Sequence, residues 1–132
     1  MKALVDDRYY YAAVSKWDAA TVKKGIISDL ARFIKSHSDY SHIRLITADG
    51  RESIRLNHNV DAQGRSVAAL TEESQLRDKA PRPWMQELQK NPPGTIYVSP
   101  FDLSSEKGNI QLPYISVLRF GMAIQDKDQQ VG

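Results

Sequence analysis

The stretch that decides the fold is Tyr40–Asn57, YSHIRLITADGRESIRLN. Its first half, His42–Thr47 (HIRLIT), is rich in β-branched and apolar residues. Ala48–Asp49–Gly50 then supplies a turn, and Glu52–Asn57 (ESIRLN) alternates polar with apolar side chains. Two such runs joined through Asp-Gly predict a β-hairpin with a short loop.

Upstream the period is helical. The first forty residues contain no Pro and a single Gly, Gly25. Val22, Ile26, Leu30 and Phe33, flanked by Ile27 and Ile34, form one apolar stripe at i, i+4, i+8 and i+11. That stripe needs a surface to pack against. Tyr10, Val14 and Trp17 form a second set on another side, so either Asp18 or Thr21 caps a new helix or one helix bends there. A single helix over residues 2–37 would be about 50 Å long, against a diameter of roughly 35 Å for a compact domain of this size. Two readings stay open: two shorter helices on one core, or a helical stalk that links the domain to something else.

Downstream, residues 58–80 are polar and irregular, with a turn at Gly64 and a weak extended stretch at Ser66–Ala69. Pro81 and Pro83 lead into WMQELQK, a short helix entered through Pro and ended by Asn91–Pro92–Pro93–Gly94. Thr95–Ser99 reads as a strand closed by Pro100, Ser104–Asn109 as a loop, and Tyr114–Ile124 (YISVLRFGMAI) as a long central strand. A polar turn at residues 125–130 follows, and then only Val131 and Gly132. The expected return strand does not appear. That is the pattern of a piece excised from a larger protein, set against the simpler reading in which the sheet ends there.

The 132 residues, 41% apolar and 26% charged, suffice for one cored domain and not for two. Eighteen Lys and Arg against sixteen Asp and Glu give a net charge of +2. Neither half carries a charged tail, so no long-range field draws in nucleic acid or acidic membrane. The absence of Cys excludes disulfides, thiolate metal sites and a cysteine nucleophile, and it leaves the compartment open. No apolar run approaches the roughly 20 residues that span a bilayer, and MKALVDDRYY lacks a signal-peptide core.

Catalytic constellations are not evident. His37, His42 and His58 form no zinc-type motif, and His37 falls near a helix C-terminus, where an imidazolium is favoured. The seven glycines are scattered as single turn residues rather than as a phosphate loop. Glu72–Glu73 reads as a solvated pair, and Ser99 lacks the flanking glycines of a nucleophile elbow. No catalytic residue, metal site or cofactor is expected. What stands out is Arg82–Pro83–Trp84 in LRDKAPRPWMQE. A guanidinium offers a planar fork for a carboxylate or phosphate, and an indole offers a flat apolar wall with one N–H donor. The prolines would hold the pair at a loop-to-helix junction with outward backbone N–H groups. Against this stands the structural reading, with Trp84 a core plug and Arg82 its surface neighbour.

Three stretches carry a resemblance: YSHIRLITADGRESIRLN, LRDKAPRPW and PPGTIYVSPFDLSSEKGNIQLPYISVLRFGMAI. From about residue 26 to the end, in order and spacing, the chain resembles the membrane-distal module of double Cache (PDC) extracytoplasmic sensor domains of bacterial histidine kinases, with related modules in diguanylate cyclases and chemoreceptors. The resemblance implies an α+β, PAS-like central antiparallel sheet of about five strands behind a long N-terminal helix. Residues 1–37 would be the helical segment and residues 38–132 the sensor core, lacking its last strand. It further implies periplasmic exposure, membrane anchors outside this chain, and a ligand cavity between the sheet and the loops over it. The N-terminal helix would carry homodimer contacts.

Arg82 and Trp84 fall on the R-x-W element with which amino-acid-binding members hold a carboxylate, and Asp102 resembles the acidic residue opposite. Met85 stands where those members carry a tyrosine, and Asn57 lies roughly where a ligand-contacting tyrosine is expected. The implied ligand is therefore a carboxylate or other small anion rather than an amino acid in particular. Arg44, Arg55 and Arg119 recur at matching positions. A half-buried strand Arg needs a partner, so at least one is expected to meet Asp102 or a ligand anion, the alternative being a bridge that fixes the loop at Pro100. The ligand-binding set is thus Arg55, Arg82, Trp84, Tyr97, Ser99, Asp102 and Arg119. The leading functional reading is a ligand-sensing domain of a transmembrane receptor with no nucleic-acid partner. A dimerisation or partner-docking module of the same fold, or an enzyme with an unrecognised site, are the competing readings.

Overall fold

The computed structural model describes residues 20–92, 94–106, 109–110, 112–126, 129–130 and 132. Tyr10, Val14, Trp17 and Asp18, which carry the choice between one helix and two, lie outside these residues, as do the side chains of Thr21 and Val22. Helix α1 is Ala20–Ser36. Its buried stripe is Ile26, Leu30 and Ile34, three residues at i, i+4 and i+8 on one helical face. Phe33 is only half-buried and stacks on His37, with ring centroids 4.1 Å apart. His37 Nδ1 lies 2.8 Å from the Phe33 carbonyl oxygen, so the ring supplies one of the partners that the last helical turn lacks.

The predicted hairpin is present. Strands β1 (His42–Ile46) and β2 (Glu52–Val60) pair antiparallel, and Gly50 turns the chain at φ 93°. β2 runs three residues beyond the expected Asn57 because β3 (Ser66–Leu70) pairs with its far end, Leu56 opposite Leu70 and Val60 opposite Ser66. The alternation legible in ESIRLN breaks down beyond Asn57: His58 is half-buried with Nε2 3.1 Å from Ser66 Oγ, and Asn59 and Val60 are exposed. α1 covers one face of this three-stranded sheet. Ile26 and Leu30 pack against Leu45, Ile54 and Leu56, joined by Ile124 from the end of the chain.

Where β3 leaves the edge of β2, another segment takes its place. Arg77–Lys79 runs antiparallel beside Gly50–Glu52: Glu52 N–H donates to the Arg77 carbonyl at 3.0 Å, Lys79 N–H donates to the Gly50 carbonyl at 2.7 Å, and Arg51 bridges Asp78. This strap leads into helix α2, Pro83–Lys90, with Pro at its first positions as expected. Met85 is its buried residue. Leu88 lies against Gly121, and Gln89 donates to the Ala48 carbonyl at 3.1 Å, so α2 spans from the hairpin loop to the C-terminal part of the chain.

That part is one long irregular hairpin. β4 (Tyr97–Val98), β5 (Asp102–Leu103) and β6 (Ser105–Glu106) pair in turn with β9 (Phe120–Gly121), β8 (Ser116–Val117) and β7 (Asn109–Ile110). Tyr97 faces Gly121 and Asp102 faces Val117, five residues along one limb against four on the other. The slip falls at Pro100–Phe101, where Pro has no N–H for the ladder. The expected α+β class with antiparallel pairing is present, but among the described residues the three-stranded sheet and this hairpin are separate hydrogen-bonded units rather than one central sheet of about five strands. The limb Tyr114–Ile124 is not a central strand, however. Among the described residues most of its length is paired on one side only, with β4 and β5, while its last residue, Ile124, exchanges two backbone hydrogen bonds with Gly132, and Tyr114, Ile115, Leu118 and Phe120 are exposed. The expected loop 104–109 carries the β6–β7 rung instead. After Ile124 the chain reverses through β10 (Gln125–Asp126) and β11 (Gln129–Gln130). No helix among the described residues is long and apolar enough to cross a membrane.

Candidate functional site

The sheet face away from α1 is polar. Alternation puts His42 and Arg44 of β1 there, directly opposite Asn57 and Arg55 of β2. Two arginines opposite one another repel. The compensating acid is Glu52, and a register slip places it. Simple alternation would point Glu52 to the same side as Ile54 and Leu56, into the α1 core. Ile46 pairs with Glu52 instead of Ser53, and the extra residue turns the Glu52 carboxylate to the polar face.

The Glu52 side chain is fully buried. Its Oε1 lies 2.7 Å from Arg44 Nε and 3.8 Å from Lys79 Nζ, and its Oε2 accepts the Arg77 N–H at 3.0 Å. The Arg44 contact is an ion pair off the N–H axis rather than an aligned hydrogen bond. Burial is the main cause that pulls the Arg44 pKa down to about 10, with Glu52 opposing it and Arg55 and Arg119 adding to it. Lys79 is lowered too, first by burial and then, against the pull of Glu52, by Arg44, Arg55 and Arg82. Cations from β1, β2, the strap and the hairpin therefore share one field.

Arg82 is the N-cap residue of α2. Its extended backbone turns the carbonyl inward to accept the N–H groups of Met85 and Gln86 at 3.0 and 3.1 Å, and its Nη2 donates to Ser105 Oγ at 2.7 Å. Trp84 is half-buried, and the guanidinium of Arg119 lies 5.9 Å from its ring centroid, within the range of a cation–π contact. The same guanidinium is 3.6 Å from Asp102, whose side chain is 63% exposed, so solvent screens that pair. Met85, rather than Trp84, is the core plug.

Of the seven sequence-predicted residues, Arg55 stands on this face by register, Arg119 gathers Trp84 and Asp102 around its guanidinium, and Arg82 is bonded to Ser105 of the hairpin. The expected Arg–Asp contact is Arg119–Asp102, whereas the partner of Arg44 is Glu52. Ser99 is buried and committed to the hairpin: its hydroxyl accepts the Arg119 N–H and donates to the Pro100 carbonyl, both at 2.9 Å, while its own N–H donates to the Arg119 carbonyl. It positions Arg119 through the backbone and fixes the turn at Pro100. Tyr97 sits in β4 opposite Gly121. Among the described residues no group of three His, Asp or Glu could hold a metal ion.

Glu52, Lys79 and His42 were not foreseen as members of this face. Burial above all, then Arg44, Arg55, Arg119 and Lys79, lowers the His42 pKa to about 3, so the ring is neutral at neutral pH. The folded value lies below the unfolded 6.5, so the unfolded chain binds the proton first on acidification. The stability that His42 contributes is complete above pH 6.5 and is lost as the pH falls toward 3. Between pH 6.5 and 5 a loss of about 1–2 kcal/mol is expected. Urea midpoints measured across that range should flatten in His42→Gln, and an unchanged slope would assign the acid sensitivity to other groups.

The family model of the bacterial histidine kinase sensor domain matches residues 1–132. A domain of a sensory box/GGDEF family protein from Vibrio parahaemolyticus superposes with TM-score 0.84 at 21% identity, over 99% of this chain and 47% of that one. The extracellular domain of the histidine kinase vpHK1S-Z8 does so with TM-score 0.84 at 21% identity, over 99% of this chain and 45% of that one. The chain thus spans about half the length of these solved domains, and at that identity the likeness is one of fold. No curated protein matches the chain.

Proposed function

This chain belongs to the bacterial histidine kinase sensor domain family, and from that premise we propose that it is the extracytoplasmic ligand-sensing part of a transmembrane receptor and binds a small anion. The observation that carries the ligand class is the convergence of Arg44, Arg55, Lys79, Arg82 and Arg119 on one sheet face. Glu52 and Asp102 are the carboxylates seen among them in the described residues. Trp84 gives the face a flat apolar wall. Sensing requires no bond-making, only a ligand that prefers one of two arrangements. A ligand held by Arg82 and Arg119 would draw the strap and the hairpin toward the sheet. α1, packed on the opposite face of that sheet, is the element through which the shift would leave the domain. The output module, kinase or cyclase, lies outside this chain, and homodimer contacts through the N-terminal helix belong to the same proposal.

A thermal-shift screen against small carboxylates and phosphates tests it. A true ligand raises the midpoint saturably, following RT ln(1 + [L]/Kd), about 2.7 kcal/mol at a hundredfold excess over Kd. Arg82→Ala should abolish the shift while leaving the circular dichroism spectrum intact. Binding that survives this variant would place the ligand elsewhere. The exposed apolar residues of the hairpin, Phe101 at 78%, Leu112 at 76% and Tyr114 at 69%, favour a second reading in which the module docks a protein partner. Its signature is the absence of any saturable shift together with dimers or complexes in solution.

A further inference from the structure

A cavity lies on the α1 side of the sheet, between that helix and the connection from β3 to the strap, and we propose that it is a second binding site, for an uncharged aliphatic small molecule. Its volume is about 370 Å³, within the range of pockets that enclose small ligands. Ile27 of α1, Ile54 of β2, Leu70 at the end of β3 and Leu76 beyond it give it an apolar lining. Ile54 is 1% exposed and belongs to the core, whereas Leu70 is 51% exposed, so the cavity runs from the core out to the surface. An aliphatic molecule seated there withdraws Leu70 and its own methylenes from water, which is the driving force for binding.

Lys23 and Glu73 also border the cavity. Lys23 Nζ lies 2.9 Å from Glu73 Oε1, so the pair joins α1 to the turn Glu73–Gln75. That turn buries none of its residues, and no side-chain bond caps it. The chain is fixed on either side of it, by the Thr71 N–H to the Arg55 carbonyl at 2.8 Å and by the Arg77 N–H to Glu52 Oε2 at 3.0 Å. Residues 72–76 therefore form a flap anchored at both ends and clasped to α1 by an ion pair. The Glu73 side chain is 83% exposed, so solvent screens the pair and the clasp opens at little cost. The charges here set the class of ligand. Lys23 is already met by a carboxylate, and Glu72, exposed on the same border, adds a second negative charge. An anionic head meets these carboxylates, and a cationic head meets the Lys23 ammonium and competes for its partner. An uncharged molecule leaves the clasp intact. Seated between α1 and the flap, it would bias the position of α1 from the side opposite the anion face, provided that it prefers one of two arrangements.

Amide NMR titrations of the chain with 1-hexanol, hexanoate and hexylammonium at constant ionic strength test this. Hexanol is expected to give saturable shifts concentrated at Ile27, Ile54, Leu70 and residues 72–76. 1-Heptanol should bind about fourfold tighter, the worth of one more buried methylene, and hexanoate and hexylammonium each several-fold more weakly than hexanol. Leu76→Trp fills the cavity from the flap and should abolish the hexanol shifts. Leu70→Trp fills it from the end of β3 and should do the same, so a folding failure in one variant leaves the other decisive. Hexanol shifts that never saturate, that centre elsewhere, or that persist in either folded variant would overturn the site. Either charged head binding as tightly as hexanol would overturn the uncharged class. A chain that fails to bind carboxylates or phosphates can still fill this cavity, so failure of the anion reading and failure of this one are separate results.

Discussion

Glu52→Gln is expected to destabilise the domain by about 3–5 kcal/mol, the cost of leaving a buried ion pair without one partner, and so to lower the thermal midpoint by about 10–20 °C. Three groups depend on that carboxylate: the Arg44 guanidinium, the Lys79 ammonium and the Arg77 N–H. A glutamine can still accept the N–H but offers no charge to two cations that are largely withdrawn from water. The pair itself need not stabilise the fold relative to an apolar replacement, because the desolvation of both ions offsets their attraction. Arg44→Met combined with Glu52→Gln, which keeps an acceptor for the Arg77 N–H, is therefore expected to recover most of the loss, with Lys79 extending its ammonium to solvent. Urea unfolding of the single and double variants measures the difference. A single-variant loss below about 1 kcal/mol, the scale of an exposed pair, would mean that the strap is anchored chiefly by its backbone bonds.

Glu52 also shows where the sequence stops being informative. The hairpin was legible because its determinants are local: β-branched runs, an Asp-Gly turn and alternation. α2 was legible because Pro83 and the Asn91–Gly94 breaker bracket it, and the α1 stripe because Ile26, Leu30 and Ile34 follow the helical period. Glu52 sits in the same alternating run, and alternation assigns it to the wrong face. Only the register slip at Ile46, a property of two strands together, turns it toward Arg44. Lys79 was hidden for the same reason, since its place follows from the strap pairing with Gly50–Glu52 across some 27 intervening residues. Arg82 and Trp84 could be singled out because they are neighbours in the chain, on one loop-to-helix junction. Ser99 was grouped with them by position in the YVSP segment, yet its hydroxyl is directed to the backbone across the hairpin, a contact that spacing does not reveal. The limb Tyr114–Ile124 has the composition of a buried strand, and composition alone cannot show that most of its second edge is left unpaired among the described residues.

Gly50 couples the turn to the site, and Gly50→Ala is expected to cost about 2–4 kcal/mol, combining a left-handed backbone with overpacking. The residue has φ 93°, and a Cβ built on it would fall 2.6 Å from Ala80 Cβ and 2.7 Å from the Ala80 backbone. Neither neighbour is the end of a flexible side chain, so the strap itself must move. The strap carries Lys79 immediately before Ala80 and Arg82 two residues after it, and the Lys79 N–H bonds the Gly50 carbonyl at 2.7 Å. Displacement here is thus expected to weaken binding of the proposed anion by about tenfold or more, the worth of one charge-assisted hydrogen bond. Gly64 supplies the control. Its φ is 78°, but nothing lies within 4 Å of the site of its Cβ, so Gly64→Ala bears only the conformational penalty of about 1–2 kcal/mol and should bind anions as the parent does. Titration of both variants separates the two contributions. Equal affinities for both would mean that the strap tolerates its displacement and that the site is held from α2 and the hairpin alone, whereas a loss confined to Gly50→Ala ties the tight turn of β1–β2 directly to the placement of Lys79 and Arg82.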